Sequence, residues 1–358
     1  MRTYKIEDLG FNEDSSQYRR ENQLESFQTG RVILEHKDRY IVLTEAGELE
    51  SEVIGNLRFT AQSRADLPAV GDWVAVNQYD EHKGLIHTIY PRKNTLERQA
   101  IGKFGEKQII ATNIDYGFIV QAVNRDFNIN RLERYITLCH ASDIEPVIVL
   151  TKVDLLDPVK ITDLLDEVKA RIKNTPVFTL SNITCEGLEK IKAFIKPGKT
   201  YCLLGSSGVG KSTLINSLAE NPIMETGEIS AAIDRGKHVT SHRELIVLES
   251  GGILIDNPGM REVGIADSAS GLEMTFDQIY ALAEDCKFND CTHQNEKGCA
   301  ILEALDSGEL HQETYDNFMK LEREQAHFSA TVYEKRKKDK AFGKMAKAII
   351  GEKKKNKF

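Results

Sequence analysis

Two short nucleotide-binding motifs occur in this chain in reversed order, and that order constrains the fold more than any other feature. Thr151-Lys152-Val153-Asp154 comes before the glycine-rich run Gly205-Ser206-Ser207-Gly208-Val209-Gly210-Lys211-Ser212, and Asp256-Asn257-Pro258-Gly259 follows it. In the usual arrangement the glycine-rich run opens the domain and the base-reading motif lies near its end. The same parts, rotated along the chain, predict a circularly permuted α/β domain.

The glycine-rich run has the right flanks. Tyr201–Leu204 is an apolar strand candidate, and Lys211–Ala219 has helical character. A strand, a glycine turn and a helix start are what a phosphate loop requires. The glycines let backbone N–H groups converge on phosphate oxygens, and the helix adds its positive end. Lys211 is placed to reach the β- and γ-phosphates and the Ser212 hydroxyl to ligate Mg²⁺, with Thr213 completing the nucleotide-contacting set. Asp256 ends another strand candidate and can hold Mg²⁺ through water, while the Gly259 N–H can meet the γ-phosphate. Asp-x-x-Gly taken alone is an ordinary turn; its weight comes from these partners.

Thr151–Asp154 follows the apolar run Pro146–Leu150. A carboxylate at a strand end accepts both N1–H and N2–H of guanine, a donor pair that adenine lacks. Lys152 can pack its stem over the base, with Val153 between the two. Taken alone, Asp154 reads better as a helix N-cap before Leu155-Leu156. Ser181-Asn182 ends the next strand, where GTPases often carry Ser-Ala and a backbone N–H contacts the base oxygen; Asn182 keeps that N–H. The bound pair is therefore GTP or GDP with Mg²⁺.

Many GTPases place a water-positioning Gln after Asp-x-x-Gly. Met260 stands there, and a thioether cannot orient water. Arg235–Ser241 lies where the first switch belongs. Thr240 is the candidate switch hydroxyl for Mg²⁺ and His238 the candidate group for positioning water, although a surface histidine without a role is equally consistent.

Cys286, Cys291, His293 and Cys299 form a compact set, while Cys139, Cys185 and Cys202 are scattered. Three thiolates and one imidazole match a closed, structural tetrahedral Zn²⁺ site rather than a catalytic one. Three buried thiols are the plain alternative. Such cysteine usage suggests a reducing compartment. No run approaches the roughly 18 apolar residues of a membrane span. With no apolar leader at Met1–Asp8, a cytoplasmic protein is expected.

The net charge of −8 conceals an asymmetry: from Lys335 to Phe358 eleven basic residues face two acids, a tail of +9 on a body of −17. One end is suited to a polyanion, although a solvated tail has the same composition. Residues 1–28 are polar and aperiodic, which predicts a flexible arm. Short β-branched runs at Arg31–Leu34, Tyr40–Thr44, Leu49–Phe59, Trp73–Asn77 and Leu85–Tyr90 suit an OB-fold β-barrel over 29–95. After a connector of about 20 residues, strand candidates Tyr116–Val123, Pro146–Leu150, Pro176–Leu180 and Tyr201–Leu204 alternate with helical patterns, predicting a mostly parallel sheet within 96–264. Arg243–Glu249 and Ile253–Asp256 flank a hairpin turn at Ser250-Gly251-Gly252. A mostly helical zinc-binding region over 265–333 and a basic tail over 334–358 complete the expected multidomain chain.

A barrel, a permuted GTPase and a Cys3His module in that order resemble the ribosome small subunit-dependent GTPase A family from Gly30 to near Arg323. The resemblance rests on Thr151–Asp154, Gly205–Ser212, Gly236-Lys237-His238-Val239-Thr240, Asp256–Gly259 with Met260-Arg261, and the zinc ligands. Val239, Ser241, Asn257 and Asn182 depart from the family's usual residues. The resemblance implies an N-terminal OB-fold and GTP hydrolysis stimulated by the 30S ribosomal subunit, with a role in its late maturation. It also implies a hydrolysis-linked histidine matching His238. The expected partners are the 30S subunit, its 16S rRNA and GTP/GDP, with a monomeric chain and no membrane. The competing readings are an RNA-binding assembly chaperone that uses GTP as a conformational lock, a permuted GTPase of the large subunit, and, least favoured by Asp154, a P-loop ATPase.

Overall fold

The computed structural model describes residues 4–36, 38–99, 107–124, 127–219, 243–257 and 269–329. Helix α1 (Glu13–Glu21) is capped by Asn12, whose side chain accepts from Ser15 N. Five strands follow: β1 (Gln28–His36), β2 (Arg39–Thr44), β3 (Gly47–Val53), β4 (Trp73–Asp80) and β5 (Lys83–Ile89), with α2 (Gly55–Thr60) between β3 and β4. They pair in the order β1-β2-β3-β5-β4 and close through β4 on β1. The β3–β5 pair is parallel and the others are antiparallel. This closed five-stranded barrel is the expected OB-fold. Alternate residues of β3, Leu49, Ser51 and Val53, point inward, while Glu48, Glu50 and Glu52 face out.

Two expectations fail here. The apolar run Leu49–Phe59 is not one strand: it stops at Val53, and Gly55–Thr60 turns into α2. The predicted mobile arm is docked from Tyr4 onward. Leu9 is fully buried, the Phe11 ring meets Trp73 edge-on at 4.9 Å, and Tyr18 packs on Tyr90 at 5.3 Å. Irregularly spaced aromatics gave no periodic signal, yet they anchor the arm to the barrel.

The expected connector contains a hairpin, β6 (Thr95–Gln99) with β7 (Lys107–Thr112). The α/β region then runs β8 (Tyr116–Ala122), α3 (Ile129–Ala141), β9 (Glu145–Thr151), α4 (Pro158–Arg171), β10 (Val177–Leu180), α5 (Leu188–Phe194), β11 (Thr200–Leu204), α6 (Lys211–Ala219), β12 (Glu244–Val247) and β13 (Ile253–Asp256). The sheet order is β10-β9-β8-β11-β13-β12, with β12–β13 its antiparallel pair. Both faces are covered, as a parallel sheet requires. Ile119 and Cys202 pack with Leu132 and Ile136 of α3 and Val168 of α4. Their neighbours Phe118, Val120 and Leu203 pack with Ile191 of α5 and Leu214 and Ile215 of α6 on the opposite face.

The phosphate-loop strand β11 lies in the middle of the sheet but late in the chain. Residues 195–199 join α5 to β11, across the place where an unpermuted domain would have its two ends. Domain termini commonly lie close together, so a short bridge suffices. It is pinned by the Gly198 N–H donating to Gly251 O at 2.8 Å. Gly10 of the docked arm sits so close that an added Cβ would meet Gly198 O at 2.7 Å.

Helices α7 (Ala269–Thr275), α8 (Asp277–Glu284), α9 (Ala300–Ser307) and α10 (Gln312–Ser329) share a separate core around Leu272, Phe276, Ile279, Ile301, Phe318 and Leu321. Gly271 lets α7 cross α3 closely: an added Cβ would lie 2.3 Å from Thr137 O. No helix among the described residues is long and apolar enough to cross a membrane. The basic tail over 334–358 lies outside the described residues.

Candidate nucleotide site and metal centre

β11 delivers the chain into the loop Gly205–Gly210, and α6 begins at Lys211. Gly205, Gly208 and Gly210 have φ of +143°, +78° and +96°, a backbone region that side chains disfavour. The Lys211 ammonium is buried inside the loop and donates to Gly205 O at 2.9 Å and Ser206 O at 2.8 Å. Burial pushes its pKa down, with Asp256 opposing. Asp256, at the end of β13, is 2% exposed; burial pushes its carboxyl up, with Lys211 opposing. Among the described residues Asp256 Oδ1 is buried with no hydrogen-bond partner. An orphaned carboxylate oxygen within electrostatic reach of a buried ammonium at a phosphate loop fits a cation and an anionic ligand arriving together. The donor set also suits Mg²⁺, a hard ion that takes oxygen ligands.

The second motif meets the first in space. Thr151, fully buried at the end of β9, donates its hydroxyl to Val209 O at 2.5 Å. Lys152 follows in the left-handed region, with φ 61° and ψ 35°. Such strain in a non-glycine residue costs on the order of 1 kcal/mol and persists where the surroundings enforce it. It turns the chain into a 3₁₀ segment over Val153–Leu155 that leaves Asp154 at the surface. The Ser181 hydroxyl donates to Asp154 Oδ1 at 2.6 Å, and itself accepts from the N–H groups of Ile183 and Thr184. This fixes the carboxylate's direction. The N-cap alternative for Asp154 does not hold: Asp157 caps α4, accepting from Lys160 N at 3.0 Å. The Asn182 side chain reaches back to Gly210 O at 3.2 Å.

Thus Thr151, Asp154, Ser181, Asn182, Gly205–Gly210, Lys211 and Asp256 converge at the C-terminal edge of the sheet. Ser212 and Thr213 begin α6 beside them. His238, Thr240, Gly259 and Met260 lie outside the described residues. Two contacts carried no signal in the sequence. Asn257 donates to Cys202 Sγ at 2.7 Å, and Tyr135 of α3 hydrogen-bonds Ser206 in the phosphate loop.

The cysteine cluster is assembled as the spacing suggested. The ligand atoms of Cys286, Cys291, His293 and Cys299 lie within 4.8 Å of one another. Tetrahedral bonds to zinc place sulfurs about 3.8 Å apart and sulfur about 3.5 Å from nitrogen. Cys286 Sγ lies 3.9 Å from Cys299 Sγ, and His293 Nδ1 lies 3.6 Å and 3.5 Å from those sulfurs. The residues therefore fit a four-coordinate metal. His293 is held at φ 60°, and its carbonyl accepts from the Tyr315 hydroxyl at 2.7 Å. Glu296 braces the same turn, accepting from the Thr292 hydroxyl and from the backbone N–H of Thr292, Gln294 and Asn295; the Thr292 hydroxyl first, then the Asn295 and Thr292 N–H groups, hold its carboxyl down at about 2. In sequence it is one polar loop residue among many.

Comparison with known proteins agrees with this geometry. The family model described as RsgA GTPase matches residues 89–266. The small ribosomal subunit biogenesis GTPase RsgA of Opitutus terrae is 42% identical over 320 residues, covering 86% of each chain. The RsgA 1 protein of the same description from Listeria innocua is 44% identical over 299 residues, covering 83% of this chain and 84% of its own. The crystal structure of YloQ, a circularly permuted GTPase, superposes with a TM-score of 0.61 at 25% identity, covering 85% of this chain and 97% of that one. By these likenesses, and by the permuted site they accompany, this chain belongs to the RsgA GTPase family.

Proposed function

We propose that this chain is a GTPase that binds the small (30S) ribosomal subunit, hydrolyses GTP to GDP and phosphate when that subunit stimulates it, and acts in late 30S maturation. The observation that carries the reading is the lacing of the two base-side loops, Thr151–Asp154 and Ser181-Asn182, onto the phosphate loop through Thr151 and Asn182. The names of the relatives supply the subunit. The 16S rRNA is the surface it meets, in the cytoplasm and as a monomer.

Asp154 reads the guanine edge in the direction set by Ser181, and Lys152 covers the base. The N–H groups of Gly205–Gly210 and the start of α6 cradle the phosphates, with Lys211 neutralising the β- and γ-oxygens. Ser212, Thr240 and Asp256 would hold Mg²⁺, which when bound offsets charge developing on the phosphates. Met260 cannot orient water, so His238 takes that task in the first switch. One structural Zn²⁺ would be held by Cys286, Cys291, His293 and Cys299, leaving no open position for chemistry. The regions 29–95, 96–264 and 265–333 serve as barrel, motor and zinc module, and the basic 334–358 tail adds contacts to phosphate backbone.

The test is co-sedimentation with isolated 30S and 50S particles under GTP analogue and GDP, with phosphate release measured alongside. The reading expects 30S-specific pelleting that depends on the nucleotide, turnover raised by 30S, and loss of that stimulation in His238→Ala. Nucleotide-dependent 30S binding without stimulated turnover would favour a chaperone locked by GTP. Pelleting with 50S alone would place the chain on the large subunit.

A further inference from the structure

We propose that Asn182 is a positioning residue: its carboxamide ties the base-reading loop to the phosphate loop and so sets how long a guanine nucleotide stays bound. This inference rests on the nucleotide reading above and adds a role for the Asn182 side chain, distinct from its backbone N–H.

The geometry is specific. Asn182 Nδ2 donates to the Gly210 carbonyl at 3.2 Å. Gly210 makes room for it: φ is +96°, and a Cβ there would lie 2.8 Å from Asn182 Nδ2. The same carbonyl accepts the N–H of Leu214 at 2.9 Å, closing the first turn of α6. The preceding carbonyl, of Val209, is held by Thr151 from the other base-side loop. Two consecutive carbonyls of the phosphate loop are therefore gripped by two separate segments of the base-reading side.

Peptide planarity gives the grip its consequence. A trans peptide fixes the N–H of one residue opposite the carbonyl of the residue before it. Holding the Val209 carbonyl orients the Gly210 N–H, and holding the Gly210 carbonyl orients the Lys211 N–H. These N–H groups belong to the cradle that meets phosphate oxygens. The base-side loops thus aim the phosphate donors.

The carboxamide is not there simply to satisfy itself. Among the described residues Asn182 Oδ1 is buried with no hydrogen-bond partner. A half-satisfied buried amide is costly and calls for an explanation. The tie through Nδ2 supplies one. Alanine, common in GTPases at this position, keeps the backbone N–H and loses the tie.

The experiment is stopped-flow release of a fluorescent GDP from the full chain, for the parent, Asn182→Ala and Asn182→Asp, with unfolding temperatures measured with and without GDP. Asp has the same shape but offers no amide donor and turns an anionic oxygen toward the carbonyl. Release is expected to quicken by about two- to tenfold in Asn182→Ala, the range of one hydrogen bond, and further in Asn182→Asp. The GDP-induced rise in unfolding temperature shrinks in both, beyond any fall in the nucleotide-free value from the lost hydrogen bond. Parent-like release from both variants overturns the proposal. So does a lower nucleotide-free unfolding temperature with unchanged release, because that marks a structural role alone. A parent chain that binds no GDP sinks the nucleotide reading itself, and this inference with it.

Discussion

Arg31 and Arg134 both cross a boundary of the nucleotide domain, and they do so by different physics. Arg31 is 1% exposed. Its guanidinium donates to Leu9 O of the docked arm at 2.6 Å and to Gly71 O of the barrel at 3.2 Å. It also reaches Asn113 O at 3.1 Å and Thr200 Oγ1 at 2.9 Å, the latter at the start of the phosphate-loop strand. Burial pushes its pKa down to about 10, with Asp115 and Asp72 opposing. Beside it Asp72, fully buried, accepts two bonds from Arg92 and one each from Thr112 and Ala69 N. Arg134 instead clasps Glu324 of α10 in a fork of 2.8 Å and 2.5 Å, with both side chains partly in solvent. The barrel is thus joined through a buried polar network and the strand pair Leu34↔Glu244. The C-terminal helices are joined through side-chain clamps along α3, the helix that also touches Ser206 of the phosphate loop. Water and salt reach the Arg134–Glu324 clasp and not the Arg31 network, so of the two only the clasp should respond to ionic strength.

The largest expected effect is at the buried joint. Arg31→Ala takes a donor from each of four acceptors, with Gly71 O still held by Asn113 Nδ2, and should cost about 4 kcal/mol of unfolding free energy in urea titration. The loss should be insensitive to salt, and a strongly salt-dependent loss would erase the contrast. Next is Glu133→Ala. Glu133 is 2% exposed and accepts from Arg171 at 2.7 Å and Asn317 at 2.5 Å, linking α3 to α4 and α10. Its removal strands the nearly buried Arg171 cation and should cost about 3 kcal/mol, seen as faster proteolysis at the α10 side. A double-mutant cycle on Arg134→Ala and Glu324→Ala should give a coupling of about 1 kcal/mol that fades at high salt.

The smallest effect concerns pH. His140 Nδ1 lies 3.1 Å from Thr275 Oγ1 where α3 meets α7. Burial lowers the His140 pKa, with Glu145 opposing. A depressed imidazole stabilises the fold fully above its ordinary pKa of about 6.5. That contribution is lost as pH falls through the lowered value. The protection of the α7 amides, taken relative to their intrinsic exchange rates, should therefore fall on acidification below about 6.5, and His140→Gln should flatten the dependence. A barrel that loosened in the same pH window would contradict the assignment to this joint.

What the sequence revealed follows from the range of the interactions involved. Gly205–Ser212 and Cys286–Cys299 were legible because their chemistry is local: consecutive glycines, or ligands a few residues apart. The order of Thr151–Asp154 and Gly205–Ser212 even revealed the permutation. The barrel strands showed through alternation, as in Leu49, Ser51 and Val53. The hairpin of Thr95–Gln99 with Lys107–Thr112 reads as a connector in sequence because Glu97 and Arg98 interrupt any apolar pattern. Contacts between distant segments were not legible. Nothing near Arg31 announces that its acceptors lie at positions 9, 71, 113 and 200. Asn182 looked like a lost alanine and proves to be a bridge to Gly210.

The central claim is that two motifs reversed along the chain build one site for one guanine nucleotide. Competition binding of GTP and xanthosine triphosphate to the parent and to Asp154→Asn tests it most directly. The account predicts that the variant loses GTP and gains the xanthine nucleotide, with Lys211→Ala weakening whichever base is bound. An Asp154→Asn protein that binds GTP as the parent does would contradict it.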